Sequence, residues 1–570
     1  MISLVRYALR GALAAAVVAI YKLLYDGSLS EHRAFALNIV ALTALVLSLY
    51  RPAAVPARRP VPWRGQAALL LVLAIGAAAR IVGFEHFPPP NGQLWEEAQT
   101  GSVAFESITA DTLDPIFPLV NLVAEAGFRL LGVSMTSLRL PFLVLAVLAV
   151  PIFYLAARQL LTTRAAALLA TLLFATSPFL AVAGRVALET MSPTFTLCLA
   201  LAATFYAMRT GTYASFALAG LTNGLLLTEY FSFRVVPVLA FGCLALTAMR
   251  RPAGAPGAGS RPHRIAQWVG PLTFLAFCAA VLMPIWIQHA DAAVILFEGI
   301  RRHSSGIAAG TAQLDFAGKT LAALQRAATS ASYVFLPDGG ADLLPDWMGI
   351  LDPATGLLGL VALLYCTRSA VRRPEHLFLA ATVLSIAVLS GALVGNPARY
   401  RLAPIVPFYL LAIGVLADAL CAGRGWRRGA AIALGVGACA IALRNLHLLY
   451  FQVLPNAQVR EQFYDTSMIL ALEAGALQAV HPGARLYLIT DLDFLGGSSD
   501  YAFLYDPTRV RVVPNASALA GSDGGYAVAY DGFAPMLDAF AGRWECQHTY
   551  PWPGRGALLT CRLPDGRGVR

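Results

Sequence analysis

The sequence predicts an α-helical protein that crosses a membrane many times and carries a small α/β domain at its C-terminal end. Of its 570 residues, 58% are hydrophobic and 13% are charged, whereas a soluble protein has about 25% charged residues. Apolar runs of about 20 residues, long enough to cross a bilayer, recur along most of the chain. After residue 446 these runs end and short polar and apolar stretches alternate.

Thirteen apolar segments are predicted as transmembrane helices. They are 7–24, 34–50, 66–84, 138–157, 165–183, 194–208, 213–229, 233–249, 267–288, 354–371, 375–394, 402–420 and 429–446. The N-terminal stretch "MISLVRYALRGALAAAVVAIYKLL" has no clear small-residue cleavage site, which favours a retained helix over a cleaved signal peptide.

The arginines predict the orientation of these segments. They concentrate in the loops after the second, fourth, eighth, tenth and twelfth segments, and the positive-inside rule makes those loops cytoplasmic. With thirteen segments, the N-terminus is then cytoplasmic and the C-terminus extracytoplasmic. The net charge of +10 follows from this bias and does not indicate a nucleic-acid partner.

Three regions are expected from this topology. Residues 1–64 contain two N-terminal transmembrane helices and a basic cytoplasmic loop, and residues 65–446 form the transmembrane core, with long outer loops at 85–137 and 289–353. Residues 447–570 form the extracytoplasmic domain. In it, "ARLYLITD", "VRVVP" and "GYAVAYDG" read as strands, and "YDTSMILALEAGALQAV" reads as a helix capped by Asp465 or Thr466.

The cysteines fall into two groups, one in the polar C-terminal segment and one in or beside the apolar runs. Cys546 and Cys561 lie in the polar C-terminal segment, where a disulfide is plausible if that segment is outside the cytoplasm. The other six lie in or beside apolar runs without metal-ligand spacing and are interpreted as small packing residues. No nucleotide-binding fingerprint or P-loop occurs in the sequence.

Two outer connections carry acids that could meet above one cavity. Glu96 and Glu97 lie in "NGQLWEEAQTG", about a dozen residues past the third segment, and Glu189 lies in the short connection "GRVALETMSP". Such carboxylates suit a reaction in which one takes a proton and another orients the substrate or a cation. The alternatives are solvated loop acids and a local ion pair between Arg185 and Glu189, one turn apart.

Arginines on the outer side run against the positive-inside bias and therefore need a reason. Phosphate or pyrophosphate binding is one, because the guanidinium fork matches phosphate oxygens. Contact with lipid head groups or nearby acids is the alternative. The outer arginines are Arg301 and Arg302 after the ninth segment, Arg399 and Arg401 before the twelfth, and Arg234, with Glu229 as a nearby partner, at the outer end of the eighth.

Several stretches, in this order, resemble the GT-C membrane glycosyltransferases, and most of all the bacterial relatives of protein O-mannosyltransferases and of lipid A aminoarabinose transferase. The stretches are "WEEAQTGSVAFE", "GVSMTSLRLPFLVLAVLAVPIFYLAARQLL", "ALLATLLFATSPFLAVAGRVALETMSP", "GLTNGLLLTEYFSFRVVPV" and "NPARYRLAPIVPFYLLAIG". The resemblance covers about 65 to 420 and excludes the two N-terminal segments.

The resemblance implies transfer of a sugar from a polyprenyl-phosphate-linked donor to a protein, lipid or glycan outside the cytoplasm. Glu96 takes the place of the family's catalytic Asp, with Glu97 as its neighbour, and the extra methylene shifts the carboxylate by about a bond length. Arg185 and Glu189 match the second outer loop. Arg399 or Arg401 matches the arginine near the donor phosphate, and some members of the family bind a divalent cation.

Two other functions stay open beside the transferase. The first is a non-catalytic scaffold with the same fold, which the replacement of Asp by Glu96 allows. The second is a transporter of lipid-linked sugars, which would carry charges within its spans or Gly/Pro-broken helices at matching positions of two halves. The sequence shows no clear internal repeat, and its acids gather in the outer loops.

Overall fold

The structure is a computed structural model. It describes residues 2–50, 63–89, 94–188, 192–250, 263–289, 313, 315–336, 343–392, 399–423, 425–463 and 466–489, together with 509–513, 519, 524–530, 545–549 and 558–563 of the C-terminal region.

The described chain is mostly helical. Its α-helices are α1 (Ile2–Tyr25), α2 (Glu31–Leu49), α3 (Trp63–Ile81), α4 (Trp95–Ala110), α5 (Pro118–Leu131), α6 (Met135–Leu160), α7 (Arg164–Thr176), α8 (Pro178–Ala183), α9 (Ser192–Thr210), α10 (Tyr213–Leu227), α11 (Val235–Arg250), α12 (His263–Gln288), α13 (Phe316–Ser332), α14 (Pro353–Ser369), α15 (Pro374–Ala392), α16 (Ile405–Cys421), α17 (Trp426–Leu448), α18 (Ala457–Glu461) and α19 (Thr466–Val480). Short 3-10 helices occupy Phe231–Phe233 and Arg399–Leu402.

All thirteen segments that the sequence predicts as spans are helical in this structure. The fifth is divided into α7 and α8 at Ser177, because Pro178 has no amide hydrogen to continue α7 and instead opens α8. Within the described residues, six helices are long and apolar enough to cross a membrane: Tyr7–Tyr25, Glu31–Leu49, Met135–Leu160, Phe231–Arg250, Trp268–Gln288 and Trp426–Val453. The predicted fold class, a polytopic helical membrane protein, is confirmed.

The two N-terminal helices pack against the core instead of standing apart from it. Phe35 and Leu42 of α2 are buried against α10 and α12. The Asn38 amide donates to the carbonyl of Ala280 in α12 at 2.8 Å. This hairpin (α1 and α2) is therefore attached to the bundle by both apolar burial and a partly buried hydrogen bond.

Helix α10 approaches α12 closely because small residues face it. A Cβ atom added at Gly220 would lie 2.3 Å from the carbonyl oxygen of Phe274 in α12. Small residues let the backbones of membrane helices come this near. The backbones of α10 and α12 are therefore in close contact at Gly220.

The C-terminal region forms one five-stranded sheet of order β2-β1-β3-β5-β4. Its strands are β1 (Leu486–Ile489), β2 (Val510–Val513), β3 (Gly525–Tyr530), β4 (Glu545–Thr549) and β5 (Leu558–Leu563). Strand β1 pairs in parallel with β2 and β3, whereas β5 pairs antiparallel with β3 and β4. Helix α19 covers one face, where Leu470 and Ala474 pack with Leu486 and Leu488.

The sequence predicts the first three strands and α19, which the structure confirms, but it misses β4 and β5. Strand β4 reads "ECQHT" and has no apolar alternation that would mark it as a strand. It is held by pairing with β5, including the disulfide between Cys546 and Cys561, which face each other in the register. Asp465, one of the two proposed caps, lies outside the described residues.

Four of the remaining cysteines are buried among the helices, as the packing interpretation requires, namely Cys198, Cys243, Cys278 and Cys366. Cys421 and Cys439 are exposed on the surface of the bundle. The packing interpretation is therefore wrong for these two, because an exposed side chain does not fill space between helices.

Candidate functional site

Glu97 is fully buried at the start of α4, and its carboxylate accepts hydrogen bonds from three residues. Leu94, the residue before the helix, donates its amide to Glu97 Oε2 at 3.3 Å. Arg139 of α6 donates Nε to Oε1 at 2.8 Å and Nη2 to Oε2 at 2.7 Å. This two-pronged contact with a guanidinium is the strongest geometry that a carboxylate makes with a side chain.

Glu97 also brings the second outer connection to α4. The amide of Ala187 donates to Glu97 Oε1 at 2.9 Å, across a sequence separation of 90 residues. Ala187 lies two residues before Glu189, which is outside the described residues. The chain segment that leads into Glu189 is therefore hydrogen-bonded to the first turn of α4.

Glu96 occupies the second position of α4, directly before Glu97. Its main chain belongs to the described helix, but its side chain is outside the described part. A negative charge in the first turn of a helix is favoured by the helix dipole and the free amides there. The main chain thus places Glu96 at a helix start that is itself fixed by Glu97.

Arg139 is a residue of this site that the sequence reasoning missed. Besides Glu97, it donates Nη1 to the carbonyl of Pro89 at 3.0 Å, and its guanidinium lies 5.8 Å from the ring centre of Phe463. The signal was an arginine near the outer start of a predicted apolar span, in "TSLRLPF". A charge in that position requires a partner, which the structure identifies as Glu97.

Arg185 joins the second outer connection to the end of α3. Its side chain is fully buried, and it donates to the main-chain carbonyls of Ala79, Val82 and Phe87 at 3.0, 2.8 and 3.3 Å. Burial lowers its pKa to about 10, and attraction to Tyr450 and Glu85 opposes that shift. Arg185 therefore remains a cation at neutral pH. Its predicted pairing with Glu189 falls on residues outside the described part.

Arg234 lies at the outer end of α11 and contacts two connecting segments. Its Nε donates to the carbonyl of Glu229 at 2.8 Å, and Nη2 donates to the carbonyl of Ile116 at 2.8 Å. The carboxylate of Glu229, the partner expected from the sequence, is fully buried and accepts from the hydroxyls of Ser192 and Thr196 at 3.2 and 2.9 Å.

Arg401 is hydrogen-bonded to Tyr230, which directly follows Glu229 in the chain. It is buried, and its Nε donates to the hydroxyl of Tyr230 at 3.3 Å. The Tyr230 ring stacks on Phe117, with ring centres 5.9 Å apart. Since Phe117 directly follows Ile116, the segment that joins α4 to α5 contacts Arg234 and supports the tyrosine bound by Arg401.

The other predicted phosphate-binding arginines are placed only in part. The main chain of Arg399 belongs to the same 3-10 helix as Arg401, and its side chain is not described. Arg301 and Arg302 lie outside the described residues.

The possible divalent cation stays untested. Among the described residues, no group of three or more His, Cys, Asp or Glu side chains could hold a metal ion. Two of the candidate ligands, the side chain of Glu96 and the whole of Glu189, are outside that part.

The C-terminal region touches the site directly. Ala98, next to Glu97, is fully buried in the cluster that contains Ile469 and Leu470 of α19. Phe463 packs edge-on against Phe87, with ring centres 5.4 Å apart. The first turn of α4 is therefore enclosed by the helical core on one side and by the C-terminal region on the other.

Comparison with known proteins identifies related sequences and folds. Residues 114–257 match the profile of the family described as Dolichyl-phosphate-mannose-protein mannosyltransferase. This match includes the segment before α5 and the helices up to α11. No curated protein sequence matches the chain.

ArnT from Cupriavidus metallidurans bound to undecaprenyl phosphate is similar in structure, with a TM-score of 0.50 and 14% identity over 87% of this chain and 98% of that one. Its apo state gives the same score and identity over 88% and 98%. The apo oligosaccharyltransferase of Archaeoglobus fulgidus overlaps more weakly, with a TM-score of 0.47 and 15% identity over 89% of this chain and 75% of that one. The chain has the GT-C fold, as predicted.

Proposed function

We propose that this chain is a membrane glycosyltransferase that moves a sugar from a polyprenyl-phosphate-linked donor to a protein, lipid or glycan outside the cytoplasm. The observation that carries the proposal is the hydrogen bond from Ala187 to Glu97, within a core of the GT-C fold. It joins the two outer segments whose acids, Glu96 and Glu189, the reaction would use.

Glu96 is the catalytic base or the group that orients the acceptor in this proposal. Its carboxylate takes the proton of the acceptor hydroxyl while that oxygen attacks the anomeric carbon of the sugar. The bond from this carbon to the phosphate oxygen breaks, and polyprenyl phosphate leaves with the electron pair. A single displacement of this kind inverts the anomeric configuration.

Glu97 is proposed to hold the start of α4 in place and thereby to position Glu96. Both of its carboxylate oxygens are engaged, one by Arg139 and Ala187 and the other by Arg139 and Leu94. A carboxylate with these four donors holds the helix start still, and such rigidity is what places a catalytic base within reach of its proton. Glu189 and Arg185 are proposed to shape the acceptor side.

The donor phosphate is proposed to bind near Arg234 and Arg401, with Arg399, Arg301 and Arg302 as further contacts. The leaving phosphate is stable as an anion, so cations around it supply much of the stabilisation of the transition state. The similarity in fold to ArnT, which binds undecaprenyl phosphate, supports a lipid phosphate as the leaving group.

The sidedness of the reaction is also part of the proposal. The arginine-rich loops predict a cytoplasmic N-terminus and an extracytoplasmic C-terminus, in the inner membrane of a bacterium. The disulfide between Cys546 and Cys561 supports this, because disulfides persist mainly outside the cytoplasm.

The test is transfer by the purified protein in lipid vesicles. The vesicles are supplied with radiolabelled polyprenyl-phosphate hexoses and pentoses in turn, and incorporation into membrane protein, lipid and glycan fractions is measured. The expected result is transfer from one donor, lost in Glu96→Gln and kept in Glu106→Gln, an exposed acid on the same helix.

Absence of transfer from every donor would refute the proposal and favour the scaffold. Movement of the labelled lipid across the vesicle bilayer without any transfer would favour the transporter. Each outcome therefore favours one of the three functions over the other two.

A further inference from the structure

The first turn of α2, in the N-terminal hairpin, lies beside the segment 111–117 that joins α4 to α5. His32 is buried there between two carboxylates, one at the start of that segment and one on the helix that follows it. Its Nδ1 lies 3.0 Å from Asp111 Oδ1, and its Nε2 lies 3.7 Å from Glu125 Oε1. One side chain of the hairpin therefore contacts Asp111, the first residue of the segment, and Glu125, an acid on the helix that follows the segment.

Asp111 is fixed in place by the turn that it makes. It ends α4 in the left-handed conformation, with φ of 58°, which costs energy for a residue with a side chain. Asn and Asp are the non-glycine residues that best tolerate this conformation. The carboxylate of Asp111 lies close to the Nδ1 atom of His32, which makes no hydrogen bond of acceptable geometry.

Glu125 is buried on α5 and is held on two sides. Arg129, one turn further along, donates Nε to Oε1 at 2.6 Å, and His32 approaches the same oxygen. A buried carboxylate needs such neighbours, since an isolated charge away from water is costly. Arg129 and His32 are thus the neighbours that keep Glu125 in this position.

The segment between these two acids supports the proposed donor arginines. The carbonyl of Ile116 accepts from Arg234, and the ring of Phe117 stacks on Tyr230, whose hydroxyl accepts from Arg401. The segment is short, and it contains an internal hydrogen bond from the amide of Ile116 to Asp114 Oδ1 at 2.8 Å. A shift at its ends would be passed on to both arginines.

We propose that His32 is a positioning residue of the donor phosphate site. By holding Asp111 and Glu125 at a fixed separation, it fixes the segment 111–117 that orients Arg234 and supports the partner of Arg401. The N-terminal hairpin is then a working part of the donor site, although it lies outside the region of family resemblance. This inference rests on the proposed function.

Loss of His32 leaves the hairpin attached. Asn38 bonds to Ala280, and Phe35 and Leu42 pack against α10 and α12 in a buried apolar cluster that also contains Leu113 of the segment 111–117. A His32 variant should therefore fold, and its effect on the donor site can be measured separately from stability.

The experiment uses full-length protein in detergent and vesicles. The variants are His32→Ala, His32→Lys, which places a cation between the acids, and Asp111→Asn, which keeps the turn but loses the charge. The control is His289→Ala, because His289 makes the other histidine–acid contact at this end of the hairpin, with Glu31 at 3.4 Å.

The expected result is about a tenfold weaker affinity for undecaprenyl phosphate and about a tenfold higher donor KM in His32→Ala and Asp111→Asn, with kcat within about twofold of the wild-type value. His32→Lys should restore most of the affinity, and His289→Ala should match the wild-type protein. A second readout is amide hydrogen exchange of residues 106–117, which should be faster in His32→Ala and Asp111→Asn and unchanged in His289→Ala.

Unchanged lipid phosphate affinity and unchanged exchange in His32→Ala, with active wild-type protein, would overturn the inference. So would equal losses in His289→Ala, because the effect would then be general loosening of the hairpin. A wild-type protein that binds no polyprenyl phosphate would refute the proposed function together with this inference, whereas the exchange measurement alone would still show whether His32 holds the segment.

Discussion

The two ends of α4 are held in different ways. At its start, Glu97 is fully buried and accepts four hydrogen bonds, two of them from Arg139. At its end, the side chain of Asp111 is 42% exposed and lies 3.0 Å from His32 and 3.6 Å from Arg33. One end is therefore locked by buried hydrogen bonds and the other is held by side-chain contacts near water.

This difference matches the tasks that we propose for the two ends. The start of α4 carries Glu96, whose position within about an ångström decides the rate. The end of α4 leads into the segment that supports Arg234, where a looser hold changes donor binding without removing the base. We expect substitutions at the start to abolish transfer and substitutions at the end to tune the affinity for the donor.

The largest effect is expected for Arg139→Ala. It leaves the Glu97 carboxylate buried without its cation, which costs about 3–5 kcal/mol of unfolding free energy. Thermal unfolding in detergent should therefore show a much lower midpoint, and transfer should be lost. The double variant of Glu97→Gln with Arg139→Met should regain part of the midpoint but not the activity. An unchanged midpoint in Arg139→Ala would contradict the strength that we assign to the contact.

A smaller effect is expected for Ala98→Leu, which adds volume between α4 and α19. Ala98 is fully buried there, and overpacking a filled core costs about 1–3 kcal/mol. The first turn of α4 should shift, and kcat should fall about tenfold, because small displacements of a catalytic group are costly. The control is Ala110→Leu, at an exposed position of the same helix. Equal kcat values in the two variants would show that the C-terminal region does not set the position of α4.

Arg234→Gln tests the other end of the comparison. Its guanidinium bonds to the carbonyl of Ile116, and a glutamine cannot keep both this bond and the charge near the phosphate. We expect donor KM to rise about tenfold with a smaller change in kcat. Steady-state kinetics with varied donor would measure this. A fall in kcat alone would place Arg234 with the chemistry instead of with donor binding.

The smallest effect is expected for Arg33→Gln. Arg33 is 63% exposed, and it lies 3.6 Å from Asp111. Exposed ion pairs contribute about 0–1 kcal/mol, so unfolding and donor KM should both stay near wild-type values. A large change in donor KM would mean that the exposed contact between Asp111 and Arg33, and not the contact between Asp111 and buried His32, controls the segment.

The parts of the fold that follow from local sequence could be predicted. The length of an apolar run determines whether it forms a membrane-spanning helix, and all thirteen runs are helical. The alternation in "GYAVAYDG" similarly predicts β3. Strand β4 could not be predicted, since its polar residues form a strand only through pairing with β5.

The contacts of the candidate site depend on residues far apart in the chain. The sequence groups Glu96 with Glu97 as acids of one loop, but it cannot show that Arg139, 42 residues further on, forms a buried pair with Glu97. Nor does it show that Arg185 donates to carbonyls at the end of α3. Apolar patterns determine helices, whereas these pairings are decided by how the helices pack.

The central claim is that Glu96 takes part in the chemistry. The most direct measurement is single-turnover transfer by Glu96→Gln and Glu96→Asp with donor saturating, beside the affinity of each variant for undecaprenyl phosphate. The account predicts a rate about 10²–10⁴-fold lower in Glu96→Gln with unchanged affinity, and measurable transfer in Glu96→Asp, which keeps the carboxylate. Transfer by Glu96→Gln at the wild-type rate would contradict it.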